Sequence, residues 1–185
     1  MIKDELREQA MLHREKIRPE NEDIESASTH FRQAVETDGK IIAAYWPIGD
    51  EFDVRYLIDD VLKAGGRIAL PVAGKSSREM QFAPWDGTGD LVKGEWGIFI
   101  PKTDERVEPD ILLVPFLAFD RKGYRLGRGG GHYDATIAAL RSKKEILAVG
   151  VGYAAQAVLF NLPVEPHDQR LDLIITPAGV HDFRT

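Results

Sequence analysis

The chain lacks cysteine, and it lacks any long apolar run. Without cysteine, its 185 residues can form no disulfide, no thiolate nucleophile and no cysteine-ligated zinc site. No apolar segment approaches the roughly 20 residues that a membrane-spanning helix needs. The first 17 residues carry charges throughout, unlike a secretory signal. We therefore expect a cytoplasmic protein that does not enter a membrane.

The chain is also short of basic residues. Its 24 lysines and arginines are outnumbered by 30 aspartates and glutamates, which gives a formal net charge of −6. This charge disfavours general binding to nucleic acid, although a local cluster of cations can still hold a small anion. The length suits one folding unit. We expect a single domain over residues 1–185, and a monomer.

Hydrophobic periodicity predicts helices that alternate with strands. Apolar residues at helical spacing predict helices over residues 3–17, 24–35, 54–62 and 133–141. Continuous apolar runs predict buried strands over residues 41–46, 67–72, 111–115, 146–151 and 173–176, with shorter strands near 80–83 and 97–100. This alternation predicts an α/β fold, a single three-layer domain with a mostly parallel sheet flanked by helices. Ligands of such sheets bind beyond the carboxyl ends of the strands, so we expect the site in the loops after Trp46, Pro115 and Val151.

The most informative segment is a glycine-rich loop between a predicted strand and a predicted helix, residues 119–134 (FDRKGYRLGRGGGHYD). Its glycines let the backbone approach a ligand closely, and they lead into a helix N-terminus that favours an anion. Asp134 stands in the first turn of that helix, where a carboxylate could hold Mg²⁺ against a phosphate. The loop glycines are Gly127, Gly129, Gly130 and Gly131, and the cations are Arg121, Lys122, Arg125 and Arg128.

Two interpretations of this loop stay open on residue chemistry alone. Glycines, cations and one acid suit a nucleotide triphosphate with its metal ion. They also suit an ordinary glycine-rich turn with solvated arginines, in which Asp134 only interacts with the helix dipole. The segment matches neither the Walker A pattern nor G-x-G-x-x-G, because no Gly-Lys-Ser/Thr follows and His132 stands where the last glycine would be.

Other features carry less information by themselves. Lys3 and Arg7 lie four residues apart and therefore share one helix face. Charged residues on such a face are usually solvated. Glu51 follows the first predicted strand, and Trp96 is as typical of a core or rim as of a ligand site. Asp172 begins an apolar strand, where an acid needs a partner or a metal ion.

The sequence offers few side chains that could bind a metal ion through histidine or act as a nucleophile. His132 and His167 have no partner at metal-ligand spacing. We interpret His167 and Asp168 as part of a turn after two prolines. No G-x-S-x-G nucleophile elbow is present. These observations argue against a covalent enzyme intermediate.

Together these segments resemble the 5-formyltetrahydrofolate cyclo-ligases, also called methenyltetrahydrofolate synthetases. The strongest match is LVPFLAFD at residues 113–120, continued by GYRLGRGGGHYD at 123–134. Lys3, Leu6, Arg7 and Arg14 are similar to the family's opening helix. YWPIGDEFD at 45–53, WGI at 96–98 and LDLIITP at 171–177 also fit. The resemblance covers nearly the whole chain.

The resemblance implies an α/β enzyme that uses ATP with Mg²⁺ and closes 5-formyltetrahydrofolate to 5,10-methenyltetrahydrofolate, releasing ADP and phosphate. It implies phosphorylation of the formyl oxygen and attack by N10. The implied nucleotide contacts are Lys3, Arg7, Arg125, Gly127, Arg128, Gly129, Gly130, Gly131, His132 and Tyr133. The implied catalytic residues are Arg125, Arg128 and Asp134. The implied metal-binding acids are Asp134 and Asp172, and the implied folate contacts are Glu51, Trp96 and Tyr133.

Two residues depart from the family pattern. His132 stands where Tyr or Phe is frequent, and Phe116 stands where a small residue is common. Both affect the expected placement of the substrate rather than the reaction. Two other classes of protein stay compatible with the residues themselves: an ATP- or phosphosugar-using enzyme with a different acceptor, and a non-catalytic module that binds a nucleotide or another anion.

Overall fold

A seven-stranded sheet forms the centre of the computed structural model, which describes residues 2–21 and 23–185. The strands in chain order are β1 (Ile41–Ala43), β2 (Arg67–Val72), β3 (Gln81–Trp85), β4 (Leu91–Lys93), β5 (Phe99–Pro101), β6 (Ile111–Val114), β7 (Ala118–Phe119), β8 (Arg125–Leu126), β9 (Leu147–Val151), β10 (Leu173–Thr176) and β11 (Gly179–Asp182). The α-helices are α1 (Lys3–Glu15), α2 (Ile24–Ala34), α3 (Arg55–Lys63) and α4 (His132–Arg141).

The main sheet has the order β11-β10-β9-β6-β1-β2-β3. Its inner strands, from β10 to β2, are parallel, and the edge strands β11 and β3 are antiparallel to their neighbours. From β1 the chain crosses to β2 on one side, whereas from β6 it continues to β9 on the other. The order therefore reverses between β1 and β6, and a crevice opens between their carboxyl ends.

Alternate residues of each inner strand face opposite layers of the molecule. Ile42 and Leu113 belong to an apolar cluster with α2 and α3, whereas Ala43 and Leu112 belong to a cluster with α4. Parallel strands buried on both faces need continuous apolar sequence for this reason. Full burial of one such aliphatic side chain stabilises the fold by about 1.5–3 kcal/mol. The expected three-layer α/β fold is confirmed.

The boundaries differ from the sequence prediction in a few places. The first strand ends at Ala43 instead of residue 46, because the chain leaves the sheet there to form the wall of the crevice. β11 was not expected, since its residues are mostly exposed and give no apolar pattern. The β7–β8 hairpin was also missed. No helix within the described residues is apolar and long enough to span a bilayer.

Candidate active site

A cavity of about 460 Å³ lies at the carboxyl ends of β1 and β6. Its size is typical of a pocket for a small-molecule ligand. The loops after Trp46 and Pro115 contribute to its wall, as the sequence predicted, but the segment directly after Val151 contributes no lining residue. Most of the remaining wall comes from α1, the glycine-rich loop, the first turn of α4, and Trp96 and Ile98 between β4 and β5, with further residues from the end of β2, from Met80 and from the turn at His167 and Asp168.

The glycine-rich loop presents an uncapped helix N-terminus to this cavity. Gly131 precedes α4 with φ 71°, and no side chain caps the helix. Gly129 has φ 102°, a conformation that other residues rarely adopt, and a side chain there would meet the guanidinium of Arg7. The free N–H groups and the helix dipole make this end of α4 a suitable anion site.

Helix α1 packs against the same loop, so Lys3 and Arg7 are not solvated surface residues. Arg7 Nε donates to the carbonyl of Gly127 at 3.1 Å. Lys3 Nζ contacts Glu165 Oε2 at 2.6 Å and Asp168 Oδ2 at 2.5 Å. Burial opposes the charge of Lys3, but the hydrogen bonds to Asp168 and Glu165 prevail and raise its pKa. Lys3 therefore stays charged, and both cations line the cavity.

Asp134 lies in the first turn of α4 and lines the cavity. Its Oδ1 accepts hydrogen bonds from Arg125 Nη1 at 3.0 Å and from the backbone N–H of Gln169 at 2.8 Å. Among the described residues, none donates to Oδ2 of Asp134. One carboxylate oxygen is thus held in place and the other stays available, which is the arrangement that a hard cation such as Mg²⁺ could use.

Glu51, Tyr133 and Arg128 form a second group on the wall of the same cavity. Glu51 Oε2 accepts from the N–H of Ile48 at 3.0 Å, and its Oε1 lies 3.8 Å from Arg128 Nε. Burial raises the pKa of Glu51, and the hydrogen bond from Ile48 and the charge of Arg128 only partly offset this. Burial, and then the Glu51 carboxylate, raise the pKa of Tyr133, so its hydroxyl stays protonated and can donate.

Trp96 contacts His132, and both residues line the cavity. The two rings meet edge to face with centroids 5.3 Å apart. Trp96 is 56% exposed and has φ 52°, an unusual backbone for a tryptophan. His132, one of the two departures from the family pattern, thus serves as the aromatic neighbour of Trp96.

Phe116, the other departure, is accommodated by two glycines, one in β9 and one directly after it. A Cβ at Gly152 would lie 2.4 Å from the Phe116 ring, and one at Gly150 would lie 3.0 Å from it. The ring is buried and also contributes to the cavity wall. A larger side chain at this position therefore fits without displacing the loop after β6.

Asp172 is not part of the cavity wall. Its Oδ2 accepts from Arg141 Nη2 at 3.1 Å and from the backbone N–H of Ala148 at 2.7 Å, so protein groups meet its need for partners. It is connected to Asp134 through Arg141 and Gln169, since Arg141 Nη1 donates to Gln169 Oε1 at 3.3 Å. The expectation that Asp172 binds the same metal ion as Asp134 has no support in this arrangement.

Asp168 is a cavity residue that the sequence analysis missed. It does lie in a turn, as predicted, but its side chain lines the cavity next to Lys3. Glu165, His167 and Asp168 bring their ligand atoms within 4.8 Å of one another. Only the fold carries this segment to α1, but the three residues are neighbours in the chain, so the expectation that His167 has no partner at metal-ligand spacing was wrong.

The parallel sheet, the crevice at its strand reversal and the cationic glycine-rich loop define an α/β protein whose cavity is suited to an anion. Comparison with known proteins gives the family. The model of the 5-formyltetrahydrofolate cyclo-ligase family matches residues 1–177. The chain therefore belongs to this family of ligases.

Individual relatives agree with this assignment. A 5-formyltetrahydrofolate cyclo-ligase of Mycolicibacterium smegmatis is 35% identical over 147 residues, 75% of this chain and 74% of that protein. The cyclo-ligase of Escherichia coli K12 is 36% identical over 149 residues, 77% of this chain and 80% of that protein. The NMR structure of the Aquifex aeolicus 5,10-methenyltetrahydrofolate synthetase superimposes with a TM-score of 0.82 at 31% identity, covering 100% of this chain and 94% of that one.

Proposed function

We propose that this chain converts 5-formyltetrahydrofolate to 5,10-methenyltetrahydrofolate and consumes one ATP in doing so. The observation that carries the proposal is one cavity with two chemically different walls. One wall consists of backbone N–H groups and cations, and suits phosphates. The other carries Glu51 and Trp96, and suits a flat heterocycle with N–H donors.

The cationic wall supports the nucleotide half of the proposal. The cations Lys3, Arg7, Arg125 and Arg128 surround the uncapped N-terminus of α4, where Gly129 and Gly131 keep the backbone accessible. A triphosphate needs such a combination of cations and N–H groups. Lys3 pairs with Asp168, so nucleotide binding would exchange one anionic partner for another.

The residues present also fit a divalent metal ion. Asp134 keeps Oδ2 available within the described structure, and Asp168 lines the same cavity. When bound beside phosphates, Mg²⁺ would neutralise charge that develops during phosphoryl transfer. We propose Asp134 as its protein ligand, and we propose Asp168 in place of Asp172 as the second nearby acid.

The proposed reaction needs no protein nucleophile. The formyl oxygen takes the terminal phosphoryl group of ATP, the bond from phosphorus to the ADP oxygen breaks, and a poor leaving group becomes a good one. N10 then attacks the formyl carbon, the carbon–oxygen bond breaks and phosphate departs. N10 gives up its proton to water or phosphate. The side chains orient both substrates and balance charge throughout.

The direct test is an optical assay of ring closure. Protein, MgATP and 5-formyltetrahydrofolate are mixed, and the methenyl chromophore is followed while ADP is measured. We expect the chromophore only when all three are present, with one ADP formed per methenyl product. ATP turnover that requires a sugar or another acceptor would identify a different ligase or kinase, and nucleotide binding without turnover under any folate would identify a binding module.

A further inference from the structure

Arg14 is a buried cation to which neither the sequence pattern nor the proposed reaction gives a role. It lies near the C-terminal end of α1, with 3% of its side chain exposed, and its side chain forms part of the cavity wall. Burying a guanidinium is costly unless each N–H finds a partner. Its contacts therefore indicate what it holds together.

The guanidinium connects α1 to the two loops on either side of the strand reversal. Nε and Nη2 of Arg14 lie 3.0 and 2.8 Å from Asp50 Oδ1, in the loop after β1. Nη1 donates to the carbonyl of Phe116, in the loop after β6, at 3.3 Å. Gln156 Nε2 donates to the same carbonyl at 2.8 Å, which fixes that anchor from a second side.

Asp50 directly precedes Glu51, so Arg14 holds the segment that carries Glu51. Within this segment Glu51 N–H donates to the carbonyl of Ile48 at 3.2 Å, and Ile48 N–H donates back to the Glu51 carboxylate. This turn fixes the conformation of residues 48–51 but does not attach them to the rest of the molecule. The Arg14–Asp50 ion pair attaches them to α1, in addition to the longer Glu51–Arg128 contact and the hydrogen bond from the Tyr45 hydroxyl to the neighbouring Phe52 carbonyl.

We infer that Arg14 is a positioning residue that sets the place of Glu51 in the cavity by holding Asp50 against α1 and the Phe116 carbonyl. All three guanidinium nitrogens face protein partners, which fixes the plane of the guanidinium between Asp50 and the Phe116 carbonyl. The inference rests on the proposed function, since it assigns Glu51 to the folate. It predicts that weakening the ion pair, by a change at Arg14 or at Asp50, raises the KM for the folate and leaves the KM for the nucleotide nearly unchanged.

The experiment is a double-mutant cycle with Arg14→Lys, Asp50→Asn and the double variant, in which KM is measured separately for 5-formyltetrahydrofolate and for MgATP. We expect each single change to raise the folate KM about tenfold, the size expected for one charge-assisted hydrogen bond. The KM for MgATP should change far less. The double variant should be no worse than the worse single variant, because both act through one contact. The exposed pair Arg32–Asp60, between α2 and α3, gives the matched control changes Arg32→Lys and Asp60→Asn.

Each alternative gives a different pattern. If Arg14 binds the folate directly, Asp50→Asn leaves the folate KM at the wild-type value and the inference is overturned. If the pair only stabilises the fold, the amount of active enzyme falls while both KM values stay unchanged, and the inference is again overturned. Thermal unfolding of every variant accompanies the kinetics. A wild-type protein that makes no methenyl product contradicts the proposed function instead, and is recognised before any variant is measured.

Discussion

Single residues of the cavity are arranged as pairs of opposite charge. Lys3 faces Asp168, Arg125 faces Asp134, and Arg128 lies beside Glu51. Because each acid balances a cation, the cavity can stay partly buried without isolated charges. An anionic ligand would have to compete with these acids for their cations. Magnesium would ease that competition by taking over a carboxylate.

We predict that Asp134→Asn lowers kcat by about two orders of magnitude, since the loss of a metal ligand removes several kcal/mol of charge stabilisation. The fold should persist, because an amide oxygen can still accept from Arg125 and from the N–H of Gln169. Turnover measured against Mg²⁺ concentration tests this. Asp172→Asn is the control and should keep normal metal dependence. Near wild-type activity of Asp134→Asn would mean that the assignment is wrong.

Glu51 gives a prediction about pH. Burial raises its pKa above the ordinary glutamate range, and the carboxylate is the form that accepts N–H groups from a pterin. The KM for the folate should therefore rise as pH falls through that raised pKa, whereas the KM for MgATP should not follow it. In Glu51→Gln the folate KM should be high at every pH. A wild-type profile in Glu51→Gln would remove Glu51 from the folate site.

The same shift has a consequence for stability. An acid whose pKa is higher in the folded state favours folding most below its unfolded pKa, and this contribution is lost as pH rises through the folded pKa. The folded protein is therefore less stable with Glu51 ionised, the form that folate binding requires, than with Glu51 protonated. Calorimetric unfolding at neutral pH tests this with Glu51→Gln. The variant should lose only the stability that the Glu51 side chain contributes through its contacts with Ile48 and Arg128, and no more.

Among the structural elements, α1 and the glycine-rich loop act as one unit. Arg7 Nε bonds the Gly127 carbonyl, and the Arg7 guanidinium occupies the space that a side chain at Gly129 would need. The helix thus places Arg7 against the backbone of the glycine-rich loop. Its charged face, which resembles a solvated surface in the sequence, is part of the site.

We predict that Arg7→Ala raises the KM for ATP by about 10- to 100-fold, as expected for a charge-assisted hydrogen bond worth about 1.5–3 kcal/mol. The KM for the folate should change much less. Arg18→Ala, in an exposed position beyond the end of α1, is the control. Initial rates over a grid of both substrate concentrations separate the two KM values. Equal effects on both substrates would argue that α1 supports the whole cavity rather than the nucleotide.

The sequence predicted elements whose apolar pattern is strong and missed those without one. β2 and β6 were predicted closely because strands buried on both faces are apolar throughout. β11 was missed because an exposed strand gives no apolar pattern, and the place of Asp168 in the cavity was missed because it depends on a contact with Lys3 far along the chain. The role of Asp172 stays a prediction, because an acid before a buried strand can be satisfied by a neighbouring arginine as well as by a metal ion.

At the scale of the whole molecule, the position of the strand reversal decides where the cavity lies. The loops after β1 and β6 separate there, so Glu51 and the wall at Phe116 reach the same cavity from opposite sides. Helix α1 and the glycine-rich loop bring the cations to it. Two substrates can therefore meet in one crevice whose walls provide charge and orientation. In the proposed reaction, the phosphoryl group would be transferred directly from one substrate to the other.

This arrangement leads to a prediction about the path of one oxygen atom. If the formyl oxygen accepts the phosphoryl group, it must leave bonded to phosphorus. Substrate labelled with heavy oxygen at the formyl carbonyl should then deliver the label into inorganic phosphate, one labelled phosphate for each methenyl product. Mass spectrometry of the released phosphate measures this, with exchange between the formyl group and water checked in a sample without ATP. Unlabelled phosphate beside methenyl product would show that ATP is hydrolysed apart from ring closure, and the phosphorylated intermediate would then have to be abandoned even though ring closure itself is catalysed.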